Sequence, residues 1–377
     1  MRRRLTLLAM GGLAGLSACR GAITSGCDGG ELAGADFGDF GRSPSPRIGS
    51  IPFPSVVSLY EVADPSDLGR HVYRDGSAFE GGGERARGIV YTERAGFLDL
   101  AHVRNTVDHA AHVHARLRHA LRSGDGCVRY RLAEPSVYTV EIDYPPSWWE
   151  LGEAERLGLA DDVAVLASEV LASHSMTWHE VLTWFGYRSV VLVSERPSAF
   201  TYDDPASHAV GAIVAGRALR ESAPVSPGEA GPFEGAVTRW LAAVLRELGA
   251  ESPAGTRAAV EAVRGEWWEG RSVLRRMVSG ERVVPWLLAR DVGAGVEPAE
   301  FRTGRLSGLS GHGACPSLRA RVEPRVREGG VILRALEEAR GPGDVPGSVD
   351  LEEDLPALLA YVRAEVVREF GPGSLAP

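Results

Sequence analysis

Apolar residues recur every three or four positions from Phe97 to Leu121, with Leu98, Val103, Val107, Val113 and Leu117 among polar neighbours. That spacing predicts an amphipathic helix, and Ser123-Gly124-Asp125-Gly126 supplies its stop. The period then changes to two: Val128 to Tyr130 and Val137 to Tyr144 alternate around Glu134-Pro135-Ser136 and predict a hairpin, closed by Pro145-Pro146. A second long helix is expected from about Ala160 to Phe185, with Gly186 at its end and a short apolar strand at Ser189 to Val193. Gly88 to Thr92 reads as a short buried strand. Asp204-Pro205 reads as an N-cap and first-turn pair that opens a helix to about Arg220. A Pro/Gly-rich linker at 221–232 precedes helices near 233–248, 255–268 and 351–369, while 291–330 reads as Gly-rich and irregular. Together these elements predict an α+β fold, predominantly α-helical, with a small β-hairpin or sheet, in one mainly helical globular domain over 48–377.

The N-terminus follows a different logic. Arg2, Arg3 and Arg4 precede a short apolar run from Leu5 to Leu16, which ends in Ser17-Ala18-Cys19. The run is too short for a stable membrane span and reads as an export signal over 1–18. A cysteine behind small residues resembles the lipobox of bacterial lipoproteins, which implies lipidation of Cys19, a membrane anchor and residence in the cell envelope facing the periplasm or exterior. Residues 19–47, rich in Gly, Ser, Ala and Pro, are expected to form a flexible tether.

Charge narrows the partners. The chain of 377 residues carries a net charge of −9, and loss of residues 1–18 removes three Arg and no acids, giving −12. Nucleic acid is therefore not an expected partner. Of the four cysteines, Cys127 and Cys315 are the pair within the folded body, and a disulfide between them is permitted outside the cytoplasm; all three of Cys27, Cys127 and Cys315 being unpaired is the alternative.

Candidate chemistry lies on the two long helices. His102, Asn105, His109, His112 and Arg116 fall on one stripe of the first, and Asp99 stands one turn before His102. Such a stripe fits either a divalent-metal site, zinc or similar, or a solvated His-rich face; His114 and His119 are expected at the surface. On the second helix Glu169, Ser173, Glu180 and Thr183 share a face that would supply carboxylates for metal binding or proton transfer if it turns toward Asp99 and His102. His179-Glu180 begins a zinc-protease pattern, but Thr183 stands where the second histidine belongs. His174 reads as a hydrogen-bonded core histidine. Asp203 and Asp204 read as simple helix capping, and the Trp148-Trp149 and Trp267-Trp268 pairs as core or interface aromatics or the lining of a groove. No nucleophile elbow, phosphate loop or dinucleotide fingerprint occurs.

Three stretches taken together carry a resemblance: Gly88 to Thr92 with Gly96 to Arg104, Thr177 to Glu180, and Ser198 to Asp204. They resemble a family of uncharacterised bacterial lipoproteins with a domain of unknown function, over most of residues 48–370. The family implies no activity and points only to Asp99, His102, Arg104 and Glu180. The catalytic expectation is thus Asp99, His102, Arg104 and Glu180, with His102, His109 and Glu180 as metal ligands in a lipid-anchored hydrolase of an envelope polymer or lipid. The alternative is a non-catalytic envelope lipoprotein that serves as a binding or assembly module for a protein partner.

Overall fold

The computed structural model describes residues 35–54, 60–74, 87–188, 195–222, 228–270, 272–283, 298–309, 313–341 and 346–376. Residues 1–18, Cys19, Cys27 and the strand expected at Ser189 to Val193 lie outside them. Among the described residues no helix is long and apolar enough to cross a membrane.

The architecture is α+β and dominated by helices, as the periodicity predicts. A tight hairpin of β1 (Ile89–Thr92) and β2 (Gly96–Asp99) runs straight into α1 (Leu100–Ser123). Gly96 takes a left-handed φ of 68° in the turn, which a side chain would resist, and the Thr92 hydroxyl donates to the Gly96 carbonyl at 3.0 Å. Asp99 ends the strand and caps the helix in one residue, its Oδ1 accepting the Ala101 amide at 2.8 Å. Gly124, at φ 79°, closes α1 through its amide to the Ala120 carbonyl.

Helix α1 is the axle of the fold. It packs on α3 (Glu153–Trp184) and on α4 (Asp204–Ser222), and α4 in turn packs on α5 (Ala230–Glu247). Gly211 lets α4 approach closely, because a Cβ there would sit 2.6 Å from Thr106 Cβ and from the Val103 carbonyl oxygen. The expected hairpin forms as β3 (Cys127–Tyr130) and β4 (Ser136–Asp143). Short α2 (Pro146–Glu150) follows, and α6 (Pro253–Ala262) supports the β1–β2 hairpin from outside. Two-residue strands β5 (Trp268–Glu269) with β6 (Ser272–Val273), and β7 (Arg282–Val283) with β8 (Phe301–Arg302), pair antiparallel.

The region expected to be irregular holds the centre of the larger sheet. Strand β9 (Ser317–Pro324) pairs antiparallel with all eight residues of β4, giving the order β10-β9-β4-β3 once β10 (Val349–Asp350) is added. Leu318, Ala320 and Val322 point into the core while Arg319 and Arg321 point out, the alternation of a half-buried strand. Two further helices, α7 (Gly329–Arg340) and α8 (Leu355–Phe370), close that core together with α1 and α3.

Two more expectations are corrected. The tether expected over 19–47 is packed structure from residue 35 on. Phe40 is buried against Tyr73 and Phe233, and Arg47 lies in an ion pair with Asp108 at 2.7 Å. The Cys127–Cys315 disulfide does not form: Cys315 is a buried free thiol, while Cys127 is disulfide-bonded to a partner outside the described residues.

Candidate functional site

Three pieces of backbone converge at the N-terminal ends of α1 and α4. The β2–α1 junction brings Asp99 and His102, the third helix brings Glu180, and the loop before α4 brings Asp203, Asp204 and, one turn on, His208. The Asp99 amide donates to Ser207 Oγ at 2.8 Å and so locks the first piece to the third.

His102 lies at the centre. Its Nδ1 is 2.9 Å from Asp204 Oδ1, and its Nε2 is 3.9 Å from Asp99 Oδ2; the His208 ring lies 5.6 Å away, centroid to centroid. His102 Nδ1 and Asp204 Oδ1 are buried and face each other as an ion pair, with no third partner on either atom. His208 Nε2 and both oxygens of Asp203 are buried without a hydrogen-bond partner. One donor atom each from His102, Asp204 and His208 lies within 4.8 Å of the others, and Asp99, His102 and Asp203 form a second such group. Buried polar atoms without partners are costly, so a cluster of them facing one another fits a site that a further positive body would complete.

The remaining contacts hold these side chains in place. Asp204 Oδ2 accepts from the Thr201 amide at 2.6 Å and the Thr201 hydroxyl at 2.9 Å, a backward bond rather than the forward N-cap expected, and this leaves Oδ1 to face His102. Glu180 Oε2 accepts the Phe200 amide at 2.8 Å. Phe200 has a φ of 58°, a left-handed conformation that is strained for a bulky residue and that aims its amide at Glu180. Arg276 donates to the Ala199 carbonyl and fixes the same loop from below. On the other side, Ser50 donates its amide to Asp99 Oδ2 at 2.6 Å, and Gly49 presses its backbone against Asp99 and the His102 ring.

Electrostatics agree with the geometry. Burial raises the Asp99 carboxyl, and burial with the neighbouring Asp204 charge pushes Glu180 well above the usual carboxylate range; Asp203 behaves likewise. Burial would raise Asp204 too, but the His102 ring more than reverses it. For His102 burial disfavours the charged ring, yet Asp99 and Asp204 outweigh it and hold its pKa well above the ordinary value. His208 is driven down to about 3 by burial and the His102 charge, so it is a neutral imidazole with a free lone pair.

A small cavity of about 20 Å³ reaches this cluster, lined by Glu180, Asp204 and His208 at its floor. That is room for about one water molecule.

Of the residues singled out in the sequence, Asp99, His102 and Glu180 come together here and Arg104 and His109 do not. Arg104 points to the far side of α1, where it donates to the Leu68 carbonyl at 2.7 Å beside His71. His109 pairs with Ser175 Oγ at 3.0 Å, and burial lowers its pKa. Beyond the half-buried His102 the stripe is buried rather than solvated, because α1 is enclosed by α3, α4 and the 35–50 segment: Asn105 brackets Arg47 through two bonds, and His112 and Arg116 hold the Phe40 carbonyl. His114, expected at the surface, is buried, with its pKa lowered to about 4. His174 is a core residue, but its Nδ1 has no hydrogen-bond partner. Glu169 leaves the shared face to pair with Arg220 at 2.8 Å. Trp148, Trp267 and Trp268 are core residues.

Asp203, Asp204 and His208 were not legible as site residues. The available signal was Asp204 and His208 at i and i+4, one helical turn apart on one face. A family model described as a protein of unknown function, DUF4056, matches residues 37–278. No curated protein and no solved structure matches the chain.

Proposed function

Because that match takes in more than half of the 377 residues, the chain belongs to the DUF4056 family, and from this premise we propose that it is a divalent-metal-dependent hydrolase. One observation carries the reading: His102, Asp204 and His208 each offer a donor atom within 4.8 Å of the others, and an ion there would take the place of the proton that Asp99 and Asp204 hold on the His102 ring. Two imidazoles and one carboxylate suit zinc, manganese or iron(II). His102, Asp204 and His208 would hold such an ion, and the cavity beside Asp204 and His208 would admit a water to it, as catalytic sites require. Asp99, with its Oδ2 3.9 Å from the Nε2 of His102, attracts the edge of the ring opposite Asp204 and so favours its orientation.

In this reading the ion supplies Lewis-acid polarisation of the bond to be cleaved. Glu180, held by the Phe200 amide at one oxygen and opening on the cavity, accepts a proton from water and returns it to the leaving group. The basic start, short apolar run and Cys19 support an exported, lipid-anchored protein of the cell envelope, whose substrate would be an envelope polymer or lipid.

The test is metal analysis of the purified full-length protein. Expected is one divalent ion per chain that is lost in His208→Ala and Asp204→Ala but kept in Glu180→Gln, which loses hydrolysis by about 10²–10⁴-fold. Absence of a stoichiometric ion, or an ion indifferent to His208→Ala, overturns the reading. The narrowness of the cavity favours a second one, an envelope binding module with a structural ion. It predicts that Glu180→Gln leaves every activity of the protein unchanged.

A further inference from the structure

The buried cluster contains a second set of donors beside the one already described. Asp99, His102 and Asp203 each offer an atom within 4.8 Å of the other two. The His102 ring belongs to both sets and turns one nitrogen toward each. Its Nδ1 lies 2.9 Å from Asp204 Oδ1, and its Nε2 lies 3.9 Å from Asp99 Oδ2 on the opposite edge. A first ion held by His102, Asp204 and His208 on the Nδ1 side therefore leaves Nε2 to the other set.

Two observations point to a ligand there. Asp203 is fully buried, yet neither of its carboxylate oxygens has a hydrogen-bond partner. The first turn of α4 keeps the residue in place, because its carbonyl accepts the Ser207 amide at 3.0 Å and the Ser207 hydroxyl at 2.6 Å. Two bare carboxylate oxygens away from water are costly, and a cation satisfies both at once. The second observation is Gly49. A Cβ at this position would stand 2.6 Å from His102 Nε2 and 2.7 Å from Asp99 Oδ2, so the missing side chain keeps the space beside both atoms clear. A zinc ion binds nitrogen and oxygen at about 2.0–2.2 Å, and one ion can thus touch both atoms across their 3.9 Å gap. Asp99 Oδ2 already accepts the Ser50 amide at 2.6 Å, but a carboxylate oxygen keeps a second lone pair.

Charge favours the same completion. Asp99, Glu180, Asp203 and Asp204 are all buried, and among the described residues no arginine pairs with any of them. One divalent ion balances two of these carboxylates; a second balances the others.

Resting on the metal reading of the first centre, we propose that Asp99, His102 and Asp203 form a second divalent-cation site, its ion on the Nε2 edge of the ring while the first holds the Nδ1 edge. Two carboxylates and one imidazole suit Zn²⁺ or Mn²⁺. With both ions bound, the ring has released both N–H protons to solvent and joins the two ions as an imidazolate. The second ion binds more weakly, because the charge of the first repels it.

The test counts Zn²⁺ bound by the full-length, metal-stripped protein in equilibrium dialysis. Expected are two equivalents, the second weaker by about tenfold or more. Asp203→Asn should keep the tight equivalent and lose the weak one, and His208→Ala should do the reverse. Asparagine keeps the shape of aspartate without its charge, so the metal-free variant should melt no lower than wild type. A single equivalent in wild type, or a weak equivalent that survives Asp203→Asn, overturns the second site and leaves the first standing. No uptake by wild type removes both. The shared ring has its own readout, which needs no variant. An imidazolate couples the spins of two Cu²⁺ ions, so the low-temperature EPR intensity per copper should fall when the second ion binds. Equal intensity per copper with one and with two ions overturns the proposal.

Discussion

Gly49 gives the sharpest test of how the site is built. A Cβ at this position would stand 2.6 Å from His102 Nε2 and 2.7 Å from Asp99 Oδ2, closer than real Cβ atoms come. To restore 3.4 Å, the ordinary limit of contact, the ring or the 47–50 segment must retreat by about 0.8 Å. The segment is poorly placed to do so. Arg47, two residues earlier, is held by Asn105, Asp108 and the Val72 carbonyl, and the Pro52 carbonyl, three residues later, accepts the Tyr202 hydroxyl. The displacement therefore falls on His102, and a ligand set tolerates only about 0.5 Å before it loses its geometry. Gly49→Ala should weaken binding of Zn²⁺ by about 10–100-fold, as loss of a group that orients a ligand does, which is about 1.4–2.7 kcal/mol. Overpacking should cost the fold about 1–3 kcal/mol as well. Calorimetric titration of wild type and variant with Zn²⁺, beside urea unfolding of both without metal, separates the two effects. Binding within twofold of wild type would refute the claim that this segment sets the position of the ring.

Other outcomes follow from the same contacts. Arg47→Ala removes the guanidinium from Asp108 in a site where the two side chains are 2% and 0% exposed, so unfolding in urea should show a loss of about 3–5 kcal/mol; a loss below 1 kcal/mol would mean His71 and the Arg74 amide satisfy that carboxylate without it. Arg104→Ala should lower the melting temperature and leave the metal content untouched, since the side chain serves the Leu68 carbonyl; metal loss would return Arg104 to the site. His114 is kept neutral by burial, with a folded pKa of about 4 against 6.5. The unfolded chain therefore takes up the proton first as pH falls, and stability is complete above pH 6.5 and declines toward pH 4 by up to about 3 kcal/mol. His114→Leu should flatten that slope in melts taken from pH 7.5 to 4.5, and an unchanged slope would assign it to His112 or another group.

The parts of the fold that rest on local pattern were legible. The 3.6-residue period gave α1, α3 and α4, the period of two gave the β3–β4 hairpin, and Asp99 with His102 stood out as a pair one turn apart. Strand β9 was hidden although Leu318, Ala320 and Val322 alternate with Arg319 and Arg321, because the glycines before it suggested irregular chain. Its partner β4 lies some 180 residues earlier, as the Glu141–Arg321 pairing shows, and local pattern carries no trace of so distant a neighbour. The site failed in the same manner. Nothing within Asp203 to His208 separates a simple helix cap from a ligand set. The difference comes from α1, brought alongside by the Gly211 contact, and from a strained Phe200 that no propensity would forecast. The His stripe misled for the opposite reason, since helical period reports which residues share a face but not what covers it.

The long ladder between β4 and β9 has a consequence for anyone who trims this protein. The family match ends at residue 278, whereas β9, α7 and α8 come after it and supply Val322, Ile332, Leu336, Leu358 and Val362 to the same interior as Trp178 and Val140. A chain cut there would bare one whole rim of an eight-residue strand, along with the apolar face beneath it, and would invite self-association in place of monomeric folding. The inherited unit and the unit that can stand alone are therefore not the same length.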